Sequence, residues 1–166
     1  SLMDPSIIER ILAHLFSRCN IENDTEITME ANPTSVELQK FRDYSNIGVN
    51  RISIGVQSLD NDDLKNLGRT HTAELAIEAI GIAQKYFESV SIDLIYARPG
   101  QNEKAWKLEL ERALSLQTQH LSLYQLTIEP NTIYEKLYKS GKINLPNESL
   151  SNELYQITEE LSLIHI

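Results

Sequence analysis

Cysteine, long apolar runs and an excess of basic charge are all missing from this chain. Its 166 residues include one cysteine, Cys19, so it can form no internal disulfide and no metal site held by several thiolates. No apolar run reaches the roughly 18 residues that a membrane span needs, and we expect no signal peptide. The net charge of −9 disfavours nucleic-acid binding, which needs a basic surface. We therefore expect a protein of the reducing cytoplasm.

Two periodicities alternate along the chain. Strand-like stretches are predicted to start near positions 26, 51, 90 and 120, and helical spacing of apolar residues follows most of them. This pattern predicts an α/β fold, a parallel βα repeat. Such units form part of an eight-unit or six-unit barrel, or a small doubly wound sheet.

Capping residues set the expected helices. Asp4 and Pro5 open the first helix, and Thr72 caps a later one. Further helices are expected over residues 35–44, 60–67 and 103–116 and from Asn147 onward, with a loop from Asn131 to Gly141.

Polar residues at the predicted strand ends are the first candidates for a site, because βα folds bind ligands there. Each also has a structural interpretation, as a cap, a turn residue or a solvated charge. Asp93 is the most informative, since a carboxylate between Ile92 and Leu94 is costly to bury without a partner. The candidates are Glu30, Gln57, Asp93 and Thr127 at strand ends, and Arg69 after the second strand's helix.

These side chains suit a zwitterionic ligand that carries hydroxyl groups. An arginine grips a carboxylate, and carboxylates accept hydrogen bonds from hydroxyl or ammonium groups. Gly55 lets a ligand approach the backbone. The four histidines show no metal-binding spacing, so we expect them to be structural, and the same holds for Cys19. No catalytic residue and no metal ligand is assigned.

Several segments together resemble the radical S-adenosylmethionine proteins related to oxygen-independent coproporphyrinogen III oxidase, and within them the heme chaperones of the HemW type. Gly-Val-Gln-Ser at 55–58 followed by Arg-Thr-His at 69–71 is the most specific part. The resemblance rests on residues 30–34, 48–58, 67–71, 92–96 and 123–130 and extends over nearly the whole chain.

The resemblance implies a partial TIM barrel of six βα units, of which this chain contains about four. Residues 1–145 are then strands three to six of the barrel, and residues 146–166 begin the following helical region. The implied cofactors are S-adenosylmethionine and a [4Fe-4S] cluster whose C-x-x-x-C-x-x-C ligands lie outside this chain, with heme as a further candidate ligand. Glu30, Gln57, Arg69 and Asp93 match the family's cofactor contacts, and Thr127 matches with different flanking residues. Ala97-Arg98 departs from the Gly-Leu of many members, which concerns the loop and not the strand.

The implied function lies in heme and porphyrin metabolism, with heme or coproporphyrinogen III as partner. A heme chaperone is the first interpretation and a true oxidase, which decarboxylates coproporphyrinogen III, is the alternative; whether the chain belongs to an enzyme stays open. A βα domain without a ligand is the third. The chain ends lack a preceding strand and a polar tail, so we expect a fragment that is inactive as cut and that self-associates through exposed sheet edges.

Overall fold

A computed structural model describes the backbone of residues 3–163 and the side chains of 3–34 and 37–162. Four strands alternate with helices along the chain. The strands are β1 (Thr28–Ala31), β2 (Arg51–Gln57), β3 (Ser89–Tyr96) and β4 (His120–Gln125). The helices are α1 (Pro5–Arg18), α2 (Ser35–Leu38), α3 (Phe41–Asn46), α4 (Asn61–Asn66), α5 (Ala73–Tyr86), α6 (Glu103–Leu114), α7 (Ile133–Lys139) and α8 (Glu148–Leu163).

The four strands form one parallel sheet in the order β1-β2-β3-β4, as the predicted βα repeat requires. In the β1–β2 pair, Glu30 is the partner of Ser53 and Ala31 of Ile54. Side chains alternate between the two faces of a strand. Ile52, Ile54 and Val56 of β2 are therefore buried on one face, and the opposite face carries small and polar residues.

Contacts divide the chain into two compact units. The first unit comprises Ser1–Asp93 and Thr118–Ser122, and the second comprises Leu94–Gln117 and Leu123–Ile166. The division passes through β3 and β4. This division into units does not coincide with the boundary between residues 145 and 146 that the sequence predicts, and that boundary stays a prediction.

Aromatic and small apolar side chains form the core of the first unit. Phe41 and Phe87 meet edge to face with their ring centroids 5.7 Å apart. Helix α5 begins at the predicted cap, where the Thr72 side chain accepts a hydrogen bond from the Leu75 N–H. Small side chains let this helix pack closely: Ala76, Ala79, Ile80 and Ala83 are buried. Helix α1 begins at the predicted Asp4 cap, but none of its residues is buried.

The second unit packs α6 against α8. Trp106 is fully buried, stacks on Tyr96 and donates its indole N–H to Thr158 Oγ1 at 2.8 Å. Thr158 in turn donates to the carbonyl of Leu154. This chain of bonds satisfies the polar atoms that accompany the aromatic core.

A buried ion pair follows β3 in the second unit. The Arg98 guanidinium donates to Glu109 Oε2 at 2.5 Å and to the Ile95 carbonyl at 2.6 Å, and both charged residues are buried. Ala97 has φ = 58°, a left-handed conformation that glycine adopts more readily. Strand β3 continues through Tyr96, so the departure at Ala97-Arg98 lies in the loop after the strand.

Two local predictions are wrong. The helix expected over residues 35–44 is two short helices, α2 and α3, because a tight turn from the Lys40 N–H to the Glu37 carbonyl interrupts it. The loop expected from Asn131 to Gly141 contains α7. Its cap is the Thr132 hydroxyl, which accepts from the Glu135 N–H, while Glu135 accepts from the Asn131 N–H. This pattern is related to a capping box, but the Glu135 carboxylate accepts from the residue before the cap instead of from the cap itself.

The chain ends, on which the expectation of a fragment rests, lie outside the described residues. Within residues 3–163, no helix combines the length and the apolar character that crossing a membrane requires.

Candidate functional site

A cleft opens at the carboxyl ends of β1 and β2 and beside Asp93 of β3, and all of its lining residues belong to the first unit. We call it the strand-end cleft; its volume is about 310 Å³. This lies in the range of roughly 300–1,000 Å³ typical of small-molecule sites. Seven residues line it: Glu30, Ala31, Asn32, Ser53, Gly55, Gln57 and Asp93. Three of the five predicted site residues, Glu30, Gln57 and Asp93, are therefore brought together.

A row of polar side chains crosses the sheet beneath this cleft. Glu30 is the register partner of Ser53, and the Ser53 hydroxyl donates to Asp93 Oδ1 at 2.9 Å. This bond holds one carboxylate oxygen of Asp93. The Asp93 carboxylate makes no other hydrogen bond among the described residues. Asp93 is half-buried, so it meets both conditions expected from its sequence context: it has a partner and it faces a cleft.

Gly55 and Gln57 give the cleft its shape. A Cβ on Gly55 would lie 2.9 Å from the Gln57 side-chain nitrogen and 3.7 Å from the carbonyl oxygen of Ala31. The Gln57 amide therefore folds back over Gly55, and any side chain at position 55 would displace it. Gln57 itself has φ = 68°, which is rare for a residue other than glycine.

The loop after β1 connects this cleft to a second one. Asn32 is fixed by Glu37, whose carboxylate accepts from the Asn32 backbone N–H at 2.6 Å. Asn32 also lines the second cleft, which has a volume of about 490 Å³ and is called here the arginine cleft. Its other lining residues are Thr34, Glu37, Gly68, Arg69, Thr70 and His71. Arg69, the fourth predicted residue, is exposed there.

Thr127, the fifth predicted residue, lies in the second unit. It is exposed, and its hydroxyl donates to Glu129 Oε1 at 3.3 Å. It is not among the lining residues of either cleft.

The two clefts offer complementary chemistry. The strand-end cleft presents two carboxylates and an amide, which bind cationic, ammonium or hydroxyl groups. The arginine cleft presents a guanidinium that can bind a carboxylate in a bidentate manner. One ligand with an anionic end and a cationic, hydroxyl-bearing part would match both sets of groups.

Comparison with known proteins now identifies the family. Residues 2–113 match the family model described as the Radical SAM superfamily. The chain belongs to this superfamily. It is 38% identical over 157 residues to a radical S-adenosyl methionine domain-containing protein 1, mitochondrial, of Danio rerio, covering 94% of this chain and 35% of that protein. It is 41% identical over 150 residues to the heme chaperone HemW of Buchnera aphidicola subsp. Schizaphis graminum (strain Sg), covering 90% of this chain and 39% of the relative.

The fold also matches a solved radical SAM enzyme, the coproporphyrinogen III oxidase HemN from Escherichia coli. The TM-score is 0.77 at 26% sequence identity, and the match covers 94% of this chain and 36% of that one. The predicted family and its barrel fold are therefore confirmed. The chain spans 35% to 41% of the length of the curated relatives it matches.

S-Adenosylmethionine and a [4Fe-4S] cluster are the cofactors of this superfamily. The residues of the two clefts fit S-adenosylmethionine, because carboxylates and an amide line the strand-end cleft and a guanidinium lines the arginine cleft, which suits the ammonium, hydroxyl and carboxylate groups of that ligand. They do not fit the cluster. Cys19 is the single cysteine and is exposed, and the described residues contain no cluster of His, Cys, Asp or Glu suited to a metal ion.

Four residues around the clefts were missed by the sequence analysis: Ser53, Asn32, Glu37 and His71. Ser53 had a usable signal, because it lies two residues before Gly55 and therefore on the same face of β2. Asn32, Glu37 and His71 had none, since their positions depend on loop conformation. His71 is nevertheless a satisfied structural histidine, as expected, with Nε2 3.0 Å from the Val56 carbonyl.

Proposed function

We propose that this chain binds S-adenosylmethionine in a radical SAM protein that acts in heme and porphyrin metabolism. The observation that carries the proposal is the strand-end cleft, where Glu30, Gln57 and Asp93 meet around Gly55. Bound there, S-adenosylmethionine supplies one-electron chemistry through its sulfonium group, while this chain's residues bind and orient it.

Charge and hydrogen-bonding capacity support a role for each cleft residue. Glu30 and Asp93 would accept hydrogen bonds from ribose hydroxyls or from the ammonium group, and their negative charge favours the cationic ligand. Gln57 would donate or accept through its amide, and Arg69 would bind the ligand's carboxylate. Ser53 would keep Asp93 oriented through their 2.9 Å hydrogen bond. Thr127 is retained as a fifth, weaker candidate.

For the whole protein, a heme chaperone is the preferred function. The relative of 41% identity supports it by its name, heme chaperone HemW. Heme would then be the partner, and the cluster ligands would be supplied by cysteines that this chain lacks. The alternative is a true coproporphyrinogen III oxidase, supported by the fold match to HemN. We propose the cytoplasm as the compartment; the relative from Danio rerio is named mitochondrial, so cell fractionation is the check.

One assay distinguishes the chaperone from the oxidase. The complete protein that carries this chain is reconstituted anaerobically with iron and sulfide and then mixed with S-adenosylmethionine, a reductant and coproporphyrinogen III. We expect no change in porphyrinogen mass and a shift of the heme Soret band when heme is titrated in. Loss of two carboxyl groups from the porphyrinogen, each as carbon dioxide, would establish the oxidase instead.

A further inference from the structure

The carboxyl end of β2 adopts a rare turn. The Ser58 N–H donates to the Val56 carbonyl at 2.9 Å across a single intervening residue, Gln57, whose φ is 68°. This is a γ-turn with a positive φ at its centre, which is strained for any residue with a side chain. A strained backbone at a binding site persists only when neighbouring groups hold it.

The side chain of His71 contacts this turn. It is 7% exposed, and its Nε2 lies 3.0 Å from the Val56 carbonyl oxygen. Because a carbonyl oxygen only accepts hydrogen bonds, this geometry assigns the hydrogen to Nε2. The Val56 carbonyl thus accepts two hydrogen bonds, one within the turn and one from a buried side chain outside it.

The same histidine belongs to the loop that carries Arg69. Helix α4 ends in a Schellman motif. The Gly68 N–H donates to the backbone carbonyl of Lys65, and the Arg69 N–H donates to that of Leu64, whose side chain is buried. Two residues later His71 turns inward, and Thr72 then caps α5. One side-chain hydrogen bond therefore joins the loop of Arg69 to the turn of Gln57.

We propose that His71 is a positioning residue for S-adenosylmethionine binding. Its hydrogen bond to Val56 holds the Gln57 amide over Gly55 and holds Arg69 in the adjoining loop, so that both act on one ligand. This inference rests on the proposed function, since it needs the ligand to bind at Gln57 and Arg69. It assigns to His71 a task that is carried out through the backbone of the two neighbouring segments.

The test compares variants that differ in where they place a donor. The Gln amide reaches about as far as the imidazole Nε2, whereas the Asn amide reaches only as far as Nδ1. In the complete reconstituted protein, His71→Gln should therefore keep the affinity for S-adenosylmethionine within about twofold. His71→Asn and His71→Leu should lower it by about three- to tenfold, the usual effect of one lost hydrogen bond. His14→Leu, an exposed histidine of α1, is the matched control and should leave the affinity unchanged.

A double-mutant cycle separates positioning from simple packing. If His71 acts through the turn, His71→Leu should weaken binding much less in a Gln57→Leu background than in the wild type. An equal loss in both backgrounds, or equal affinities of the Gln and Asn variants, would overturn the proposal. Nitrogen-15 NMR of His71 should report a hydrogen on Nε2, and a hydrogen on Nδ1 alone would also overturn the proposal. If the wild type does not bind S-adenosylmethionine, the proposed function fails first; if it binds and the variants match it, only this inference fails.

Discussion

At the scale of single residues, Gly55 is where the absence of a side chain matters most. Its φ is not in the left-handed region, so alanine can adopt its backbone conformation, but the added Cβ would lie 2.9 Å from the Gln57 amide nitrogen. We expect Gly55→Ala to leave the protein folded and to weaken S-adenosylmethionine binding about tenfold, because the Cβ would displace the Gln57 amide and remove its hydrogen bond to the ligand. Isothermal titration with the complete protein measures this.

Gly81 of α5 provides the matched control for that substitution. A Cβ there would meet nothing within 4 Å. Gly81→Ala should therefore leave binding unchanged and stabilise the helix by about 0.5–1 kcal/mol. Equal binding by Gly55→Ala and Gly81→Ala would contradict the account of the cleft.

The Arg98–Glu109 pair is the second residue-scale feature that a substitution can test. The two side chains are 3% and 8% exposed. Removing one charge leaves the other buried without its partner, so Glu109→Gln should destabilise the fold by about 3–5 kcal/mol. The double variant Arg98→Met with Glu109→Met should lose much less of the free energy of unfolding, because it leaves no buried charge without a counter-charge. Urea denaturation measures both.

The control for this prediction is an exposed pair. Lys65 and Asp62 form an ion pair with side chains that are 75% and 88% exposed. Lys65→Met should change stability by less than about 1 kcal/mol. If Glu109→Gln lowered the free energy of unfolding no more than Lys65→Met does, the account of the buried pair would be contradicted.

The sequence predicted those residues of the strand-end cleft whose positions are set by a strand. Glu30, Gln57 and Asp93 were predicted from strand ends alone, and the parallel sheet brings them into one cleft. Asn32 and His71 could not be found this way, because a turn and a loop orient them. The γ-turn at Gln57 was also invisible, since no glycine or proline marks it.

At the scale of elements, the second unit contains an acidic contact between α6 and α8. The hydrogen bond that the protonated Glu103 carboxyl donates to Glu153, together with the like charge of Glu153, raises the pKa of Glu103. An acid whose pKa is raised by folding binds its proton more tightly in the folded state. The contact therefore costs stability at pH values above that pKa, and the cost disappears as the pH falls through it.

Glu153→Gln should accordingly raise the melting temperature at neutral pH. The gain should vanish below about pH 4, near the ordinary pKa of an unfolded glutamate. Glu160→Gln, an exposed residue of the same helix, is the control and should show little change at either pH. If Glu153→Gln raised the melting temperature equally at all pH values, the Glu103–Glu153 contact would not be the cause of the increase.

The elements themselves were mostly predictable. All four strands and the helices with strong caps, such as α1 and α5, lie where capping and periodicity placed them. Helix α7 was missed because its start is fixed by side-chain contacts of Thr132 and Glu135, and the Glu135–Lys139 ion pair, with a separation of 2.6 Å, adds to them. The break between α2 and α3 was missed because helical spacing continues across it while the backbone tightens at Lys40.

At the scale of the whole molecule, β1 is at one end of the strand order and leaves one edge without a strand partner among the described residues. Such edges promote pairing with other chains. We expect the 166-residue chain to self-associate in light scattering, and Thr28→Lys, which places a charge on the first residue of β1, to reduce this self-association. Asn23→Lys, the same change in charge outside the strand, should not. A monomer at high concentration would contradict the expectation.

The central claim is that Glu30, Gln57 and Asp93 form a site for S-adenosylmethionine, and equilibrium titration of the complete protein under anaerobic conditions tests it most directly. The account predicts saturable binding by the wild type, binding at least about tenfold weaker for Asp93→Asn, and wild-type binding for Asp24→Asn, an exposed aspartate outside both clefts. Equal affinity of Asp93→Asn and the wild type would contradict it.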